Sequence, residues 1–388
     1  MKLAVLTCGM LPIPAVQGGA VENLIDFYLE YNNCHKLHDI TVYSPWDPKV
    51  KTHPALASDV NHYHYIDVTS LISRIARRFY SYCHQDEYYN YFIEYYFEKV
   101  YADLNKRDYD YIILENGAGL AYKLSQRGYK NLILHMHNEL QQSKVKFHQA
   151  IIKSLTKILT VSNYIKERAS TLFHIDKIEK IYNGIDLENY VRKNNSIISR
   201  QQIGFTEEDF VIVYSGRIIK EKGISELIDA ILHLQSYPNI KLLVLGCSFY
   251  NDVNHEDEFI RSLKKKAKMI EDKIIFTGFI PYKSIPDYLH LADIAVLPSM
   301  WEEPFGLTIV EAMAAGLPLI TTRSGAIPEI CEGAATIIDR DYVSNNLPYA
   351  ILDLYNHPDK CQQMTIASLE RSKLFDKDVY AEHFFDAL

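Results

Sequence analysis

Three groups of residues in this 388-residue chain have types and spacings that could do chemistry. The first is the run Pro298-Ser299-Met300-Trp301-Glu302-Glu303-Pro304-Phe305-Gly306-Leu307-Thr308-Ile309-Val310-Glu311, which leaves an apolar strand and enters a helix near Gly306. The first N–H groups of a helix have no internal partner and carry partial positive charge, so the backbone from Phe305 through Leu307 and Thr308 suits a phosphate. Gly306 lets that backbone approach a ligand closely. Glu303 in the loop and Glu311 on the helix offer carboxylates that accept hydrogen bonds from hydroxyls, one set on a sugar and the other on a ribose. Glu311 is expected to project near the bound group rather than into the core. The second group is Arg217 with Lys222, fixed cations beyond the strand Val211–Ser215 that can clamp a diphosphate. The third is Gly18-Gly19, a tight loop whose amides can face the same phosphates. It is not the GxGxxG dinucleotide fingerprint.

Leu134-His135-Met136-His137 ends another strand, and period-two geometry turns both histidines to one face. Such a pair suggests a metal in the abstract, yet no third ligand presents itself in the sequence. Asp108-Tyr109-Asp110 has the spacing of a metal-binding DxD, but it directly precedes an apolar strand, where acidic turn residues are commonplace; no metal is expected. Hydrolytic chemistry has no support. There is no GxSxG or HExxH, and Glu302, Glu303 and Glu311 arise from one loop and helix, whereas two glycosidic carboxylates flank the bond.

The elements that must position these groups alternate between short apolar strands and helical stretches, the pattern of parallel sheets covered on both faces. Expected strands are Lys2–Thr7, Ile40–Tyr43, Tyr111–Leu114, Leu132–His135 and Ile158–Val161, then Val211–Ser215, Lys241–Leu245, Ile274–Phe276, Ile294–Leu297 and Pro318–Thr321. A polar stretch, Tyr190–Ser196, separates the two series. The expected domains are therefore 1–190 and 196–372, with a final helix over about 373–388 that crosses back to the first. Between Leu71 and Leu104 the chain reads as two helices dense in aromatics. Arg74, Arg77 and Arg78 lie beside Phe79, Tyr80 and Tyr82, which could be a solvated face paired with Asp86, Glu87 and Glu94, or a surface for an anionic membrane.

Composition narrows the classes further. The chain is 48% hydrophobic and 23% charged, as globular proteins are, and its net charge of -8 argues against a general nucleic-acid binder. Residues 1–190 carry 21 basic and 21 acidic side chains, so the excess negative charge lies in the second half. Six cysteines without CxxC spacing indicate a reduced, cytoplasmic setting. No apolar run is long enough to span a membrane, and Lys2–Thr7 reads as a buried first strand rather than a leader.

The motifs together resemble a family. Glu303 to Glu311, with Phe-Gly-Leu between and Ala-Gly-Leu-Pro after, looks like the EX7E signature of retaining glycosyltransferases of family 4 (glycosyl transferases group 1). Gly18-Gly19-Ala20-Val21-Glu22, Val161-Ser162, Asn183-Gly184-Ile185-Asp186, Ser215-Gly216-Arg217 with Lys222-Gly223, and Gly325-Ala326-Ile327-Pro328-Glu329 resemble its other motifs, in order across nearly the whole chain. The resemblance implies an α/β GT-B fold, two facing Rossmann-like domains with an interdomain cleft, the donor on the second and the acceptor on the first. It implies a retaining transfer from a nucleotide-sugar to a hydroxyl of a glycan or lipid-linked acceptor, in surface polysaccharide or glycoconjugate biosynthesis, without metal or other cofactor. His137 stands where the family has an active-site histidine facing the sugar, and Ile280 ends Phe276-Thr277-Gly278-Phe279-Ile280, where the base is met. UDP is taken as the nucleotide because it is the family's commonest type; these residues do not distinguish it from GDP or ADP. Peripheral attachment at the cytosolic membrane face is implied for lipid-linked acceptors. A nucleotide-sugar epimerase of the same architecture and a non-catalytic partner subunit are the alternatives.

Overall fold

Continuous apolar runs such as Leu3-Ala4-Val5-Leu6 form strands because a parallel sheet buries both faces; all four residues are fully buried. The computed structural model describes residues 1–83, 91–139, 148–172, 174–192, 198–247 and 258–388. It divides into two compact units, 1–184 with 377–388, and 185–376. The first contains β1 (Lys2–Leu6), α1 (Ala20–His35), β2 (Asp39–Pro45), β3 (Asn61–Ile66), α2 (Leu71–Cys83), α3 (Tyr91–Leu104), β4 (Tyr111–Glu115), α4 (Ala118–Gln126), β5 (Leu132–Met136), α5 (His148–Ser154), β6 (Leu155–Thr160), α6 (Asn163–Ser170) and β7 (Ile178–Lys180). Its parallel sheet has the order β3-β2-β1-β4-β5-β6-β7.

The second unit contains β8 (Phe210–Ser215), α7 (Ile224–His233), β9 (Ile240–Leu245), α8 (Glu258–Ala267), β10 (Ile274–Gly278), α9 (Ile285–Leu289), β11 (Ile294–Leu297), α10 (Leu307–Ala314), β12 (Leu319–Thr322), α11 (Ile327–Ile330), β13 (Ala335–Ile338), α12 (Val343–Asn356) and α13 (Pro358–Ser372). Its sheet is also parallel, ordered β10-β9-β8-β11-β12-β13. Each sheet reverses its winding once, between β1 and β4 and between β8 and β11. At such a reversal the loops after neighbouring strands run apart and leave a crevice at the carboxyl edge.

The central strands fall within a residue or three of expectation, whereas β3, β7 and β13 were not anticipated. All three are sheet edges. An edge strand is covered less completely, so Asn61-His62-Tyr63-His64-Tyr65-Ile66 carries no continuous apolar run. The crossing between units comes at Gly184/Ile185, six residues before the expected Tyr190. Ile185 is buried and its N–H donates to the Phe375 carbonyl at 2.8 Å, which ties it to the second unit. Asn194, Asn195 and Ser196 lie outside the described residues.

The last helix, α14 (Lys377–Asp386), belongs to the first unit and packs on α1. Phe384 stacks on Tyr28 with ring centroids 4.1 Å apart and planes 3° from parallel, and both are fully buried. Phe385 and Tyr380 extend the same core, which reaches β1 through Leu3 and Val5. Phe384→Ala removes a ring from a dry, filled site and is expected to cost about 3–5 kcal/mol of unfolding free energy. Urea denaturation of the full chain measures this, with the exposed Tyr349→Ser expected to stay within ~0.5 kcal/mol of the parent.

Candidate active site

In the second unit the functional side chains gather at the β8/β11 reversal. β8 ends at Ser215 and leads into Gly216-Arg217, and β11 ends at Leu297 and leads into the Glu303 loop. Glu303 is buried, so its carboxylate needs donors. Lys222 Nζ supplies one to Oε1, and Ser299 Oγ donates to the same oxygen at 2.7 Å. Cation and carboxylate, expected to serve different parts of a ligand, are thus paired with each other. The loop itself is clamped from below. Ala326 N donates to the Glu303 carbonyl at 2.8 Å, and Gly325 N donates to Glu302 Oε2, which also faces Arg340 through its other oxygen. A Cβ on Gly325 would lie 2.3 Å from the Glu303 carbonyl oxygen, and its φ is +56°, so only glycine allows this approach.

Gly306 caps α10 in the left-handed region at φ +96°. The first intrahelical bond of that end runs from Ile309 N to the Gly306 carbonyl at 2.9 Å, so the amides of Leu307 and Thr308 precede it. The Phe305 side chain is buried edge-on against Phe375, 5.7 Å between centroids. Glu311 differs from expectation. It is 5% exposed rather than projecting, and burial pushes its carboxyl up to about 7, with the neighbouring Tyr190 hydroxyl opposing part of the rise. Every residue of α10 from Ile309 to Ala314 is buried, so the helix is enclosed on all sides and Glu311 is covered on a different side from Ile309 and Met313. Arg217 is exposed and lines a pocket with Gly246, Cys247, Phe279 and Ile280.

In the first unit, the Gly18-Gly19 loop leads into α1, with Gly19 as its cap. A Cβ on Gly18 would meet open space, whereas one on Gly19 would lie 2.1 Å from Glu22 Oε2. The buried Glu22 carboxylate therefore covers part of the loop expected to face an anion, and burial raises its pKa. Glu22 stood in the sequence motif without an assigned role.

His137 follows β5 and is 7% exposed. Asn116, in the left-handed region at φ 58° after β4, accepts the His137 N–H on its side-chain oxygen at 2.9 Å and donates its own N–H to the His135 carbonyl. The third group that the sequence did not reveal is Glu115, the last residue of β4 and the register partner of His135. Its Oε2 lies 2.7 Å from His137 Nε2 and 3.0 Å from His135 Nδ1, and its Oε1 accepts from the Tyr28 hydroxyl at 3.1 Å. Burial alone would raise the Glu115 carboxyl, but His135 and His137 together outweigh it and hold the group well below the usual range. Burial, followed by the charge of His135, lowers His137 to about 4. Among the described residues, Glu115, His135 and His137 are also a trio whose donor atoms lie close enough for a cation, all within 4.8 Å. A carboxylate ending a strand one register step from a histidine pair was the available signal; it needed the strand order to be read.

The remaining candidates serve structure. Asp110 accepts the Lys2 N–H at 2.7 Å and Tyr109 bonds Tyr43 through the hydroxyls at 2.9 Å, so the DxD spacing is spent on joining strands. Glu139 pairs with Arg168.

This arrangement has close relatives. The family described as glycosyl transferases group 1 matches residues 195–371, and the one described as glycosyltransferase family 4 matches residues 32–189. YtcC of Bacillus subtilis (strain 168) is 30% identical over 372 residues, 92% of this chain and 81% of the relative. The lipopolysaccharide 1,2-N-acetylglucosaminetransferase of Salmonella typhimurium is 28% identical over 274 residues, 69% of this chain and 68% of the relative. Anabaena Alr3699/HepE, solved with UDP, shares the fold at a TM-score of 0.75 and 20% identity, covering 100% of this chain and 99% of that one. With two Rossmann-like parallel-sheet units and matches across both, the fold is GT-B, and the chain belongs to the group 1 glycosyltransferases of family 4.

Proposed function

We propose that this glycosyltransferase moves a sugar from a UDP-sugar to a hydroxyl of a glycan or lipid-linked acceptor in polysaccharide or glycoconjugate assembly, with retention and without a metal. The observation that carries the reading is the β8/β11 edge, where Lys222, Glu303 and Ser299 form one polar cluster beside the free amides that open α10. The UDP complex of HepE and the acetylglucosamine transfer named for the Salmonella relative support the donor and acceptor classes.

In this reading Arg217 and the amides of Gly306, Leu307 and Thr308 hold the diphosphate. The Phe279-Ile280 side of the Arg217 pocket takes the base. Glu303 accepts from hydroxyls of the transferred sugar, and Lys222 is drawn from it toward the leaving phosphate as negative charge grows there. Glu311 accepts from the ribose. The acceptor hydroxyl attacks on the face the leaving group departs from and passes its proton to the leaving phosphate oxygen, so no protein nucleophile is needed. An epimerase would instead turn over without acceptor.

Turnover of a nucleotide-sugar panel, followed as nucleotide release, tests this. Release is expected to require an acceptor and to survive chelation. Arg217→Ala and Lys222→Ala are each expected to lose about 30-fold or more, ~2 kcal/mol of transition-state stabilisation. Loss of activity on chelation, restored by magnesium or manganese, would refute the metal-free reading.

The buried Glu311 makes a separate prediction. Its carboxyl titrates at about 7 when folded, against 4.5 unperturbed. The folded state therefore holds the proton more tightly, so this stabilisation is complete below about pH 4.5 and is lost as pH rises through 7. Unfolding free energy is expected to fall by a few kcal/mol between pH 5 and pH 8. Glu311→Gln should flatten that slope, leaving the part due to Asp26, which burial also raises to about 7, and to Glu22, which burial raises as well.

Peripheral membrane contact is part of the same proposal. Among the described residues no helix is long and apolar enough to cross a membrane. Helix α2 exposes Leu71, Ile72, Ile75, Phe79 and Tyr82, with Arg74 and Arg78 also exposed and no acidic residue along it. The side chains of Arg77, Tyr80 and Glu94 and the residues Asp86 and Glu87 lie outside the described ones. At about 1 kcal/mol per basic residue, binding should be weak and salt-sensitive. Cosedimentation with vesicles of phosphatidylcholine and phosphatidylglycerol is expected to fall with salt and to vanish in Arg74/Arg77/Arg78→Glu; equal binding by the triple variant would refute membrane contact through α2.

A further inference from the structure

The cluster around Glu115 is more buried than any hydroxyl-binding role requires. Tyr28, Glu115 and His135 are at most 1% exposed, and the site of His137 just reaches the surface. A carboxylate there is an acceptor with four lone-pair positions. Tyr28 fills one on Oε1, and Oε2 sits 2.7 Å from His137 Nε2. Only a proton on Nε2 makes that approach attractive, because two lone pairs facing each other at that distance would repel. His137 Nδ1, by contrast, is buried and has no partner among the described residues.

We propose that Glu115 is a positioning residue that fixes His137 as the Nε2–H tautomer, so that Nδ1 faces the substrate purely as an acceptor and selects a sugar hydroxyl over a carboxylate. This rests on the reading of His137 as the residue that meets the transferred sugar. A hydroxyl brings the proton that Nδ1 lacks. A uronate brings a second acceptor, with the Glu115 charge one ring behind it, and is excluded on both counts. The low pKa of His137 agrees, since a neutral ring carries a single N–H, and with that proton on Nε2 beside Glu115 none is left on Nδ1. A cation on the trio fits less well. Bound to His135 Nδ1 and His137 Nε2, it would leave the opposite N–H of each ring buried, and neither His135 Nε2 nor His137 Nδ1 has an acceptor within reach.

The tautomer can be read without substrate, from the ring nitrogen shifts of His137 in two-dimensional NMR of the full chain, assigned through His137→Gln. The expected result is Nε2–H in the parent and a mixture in Glu115→Gln, whose amide can donate as well as accept. With the sugar donor that supports turnover, Glu115→Gln should lose at least tenfold in kcat/KM and Glu115→Asp less. The parent should bind neutral UDP-hexoses at least tenfold better than the matching UDP-hexuronates, and Glu115→Gln should narrow that ratio. Nδ1–H in the parent, a stoichiometric divalent metal in the purified protein, or parental kcat/KM in Glu115→Gln while His137→Ala is impaired overturns the role of Glu115 and leaves the site reading intact. Full activity of His137→Ala overturns the site reading itself, and this proposal with it.

Discussion

A buried carboxylate must be surrounded by donors, and the candidate residues of each unit depend on that constraint. Glu303 and Glu115 each stand in or beside a carboxyl-edge loop at a sheet reversal, almost without solvent. Burying a carboxylate without donors is costly, and partners must offset that cost. Glu303 is met by Lys222 and Ser299, Glu115 by Tyr28 and the histidines. The donors come from elements distant in sequence, so each carboxylate draws several elements into one geometry.

The supporting structure follows from the need to hold those carboxylates still. Around Glu303, Gly325 and Ala326 approach the loop backbone, and Thr322 and Ser324 both donate to the Ser299 carbonyl. Around Glu115, the hydroxyl donor Tyr28 is held by stacking on Phe384 of the last helix. The C-terminal helix therefore has a second consequence beyond apolar burial, since it sets the ring whose hydroxyl reaches the carboxylate. A polar network this enclosed is rigid, and rigidity is what lets a fixed cation or imidazole act on charge that appears only in a transition state.

Glu311 shows the opposite use of burial. Among the described residues no cation pairs with it, and its carboxyl rises to about 7 instead of falling. The same residue type, eight positions after Glu303, is thus held near its titration point in the resting protein. A ligand that offers hydroxyls to Glu311 would favour the ionised form, whereas Glu303 is paired with Lys222 and Ser299 before any ligand arrives. The two glutamates of one motif differ in electrostatic state because their neighbours differ, not because their sequence context does.

Much of this was legible in the residues. Apolar runs at both-face-buried strands located the inner strands of each sheet, and the order of Gly18-Gly19, Arg217, Lys222, Glu303 and Glu311 marked the candidate loops, because turn glycines and strand ends are local properties. The edge strands β3, β7 and β13 were not legible, since less complete burial leaves no continuous apolar run. Nor was the crossing at Ile185, which depends on a backbone bond to Phe375 far along the chain. The burial of Glu311, the covering of Gly19 by Glu22, and the pairing of Lys222 with Glu303 are also tertiary facts. Glu115 is the clearest case. Its type and its place at the end of an apolar strand are written in the sequence, but its partners are Tyr28, His135 and His137. Only the strand order, which sets β4 beside β5 and α1 against both α14 and the sheet, brings Tyr28 and His137 within hydrogen-bond reach and His135 alongside.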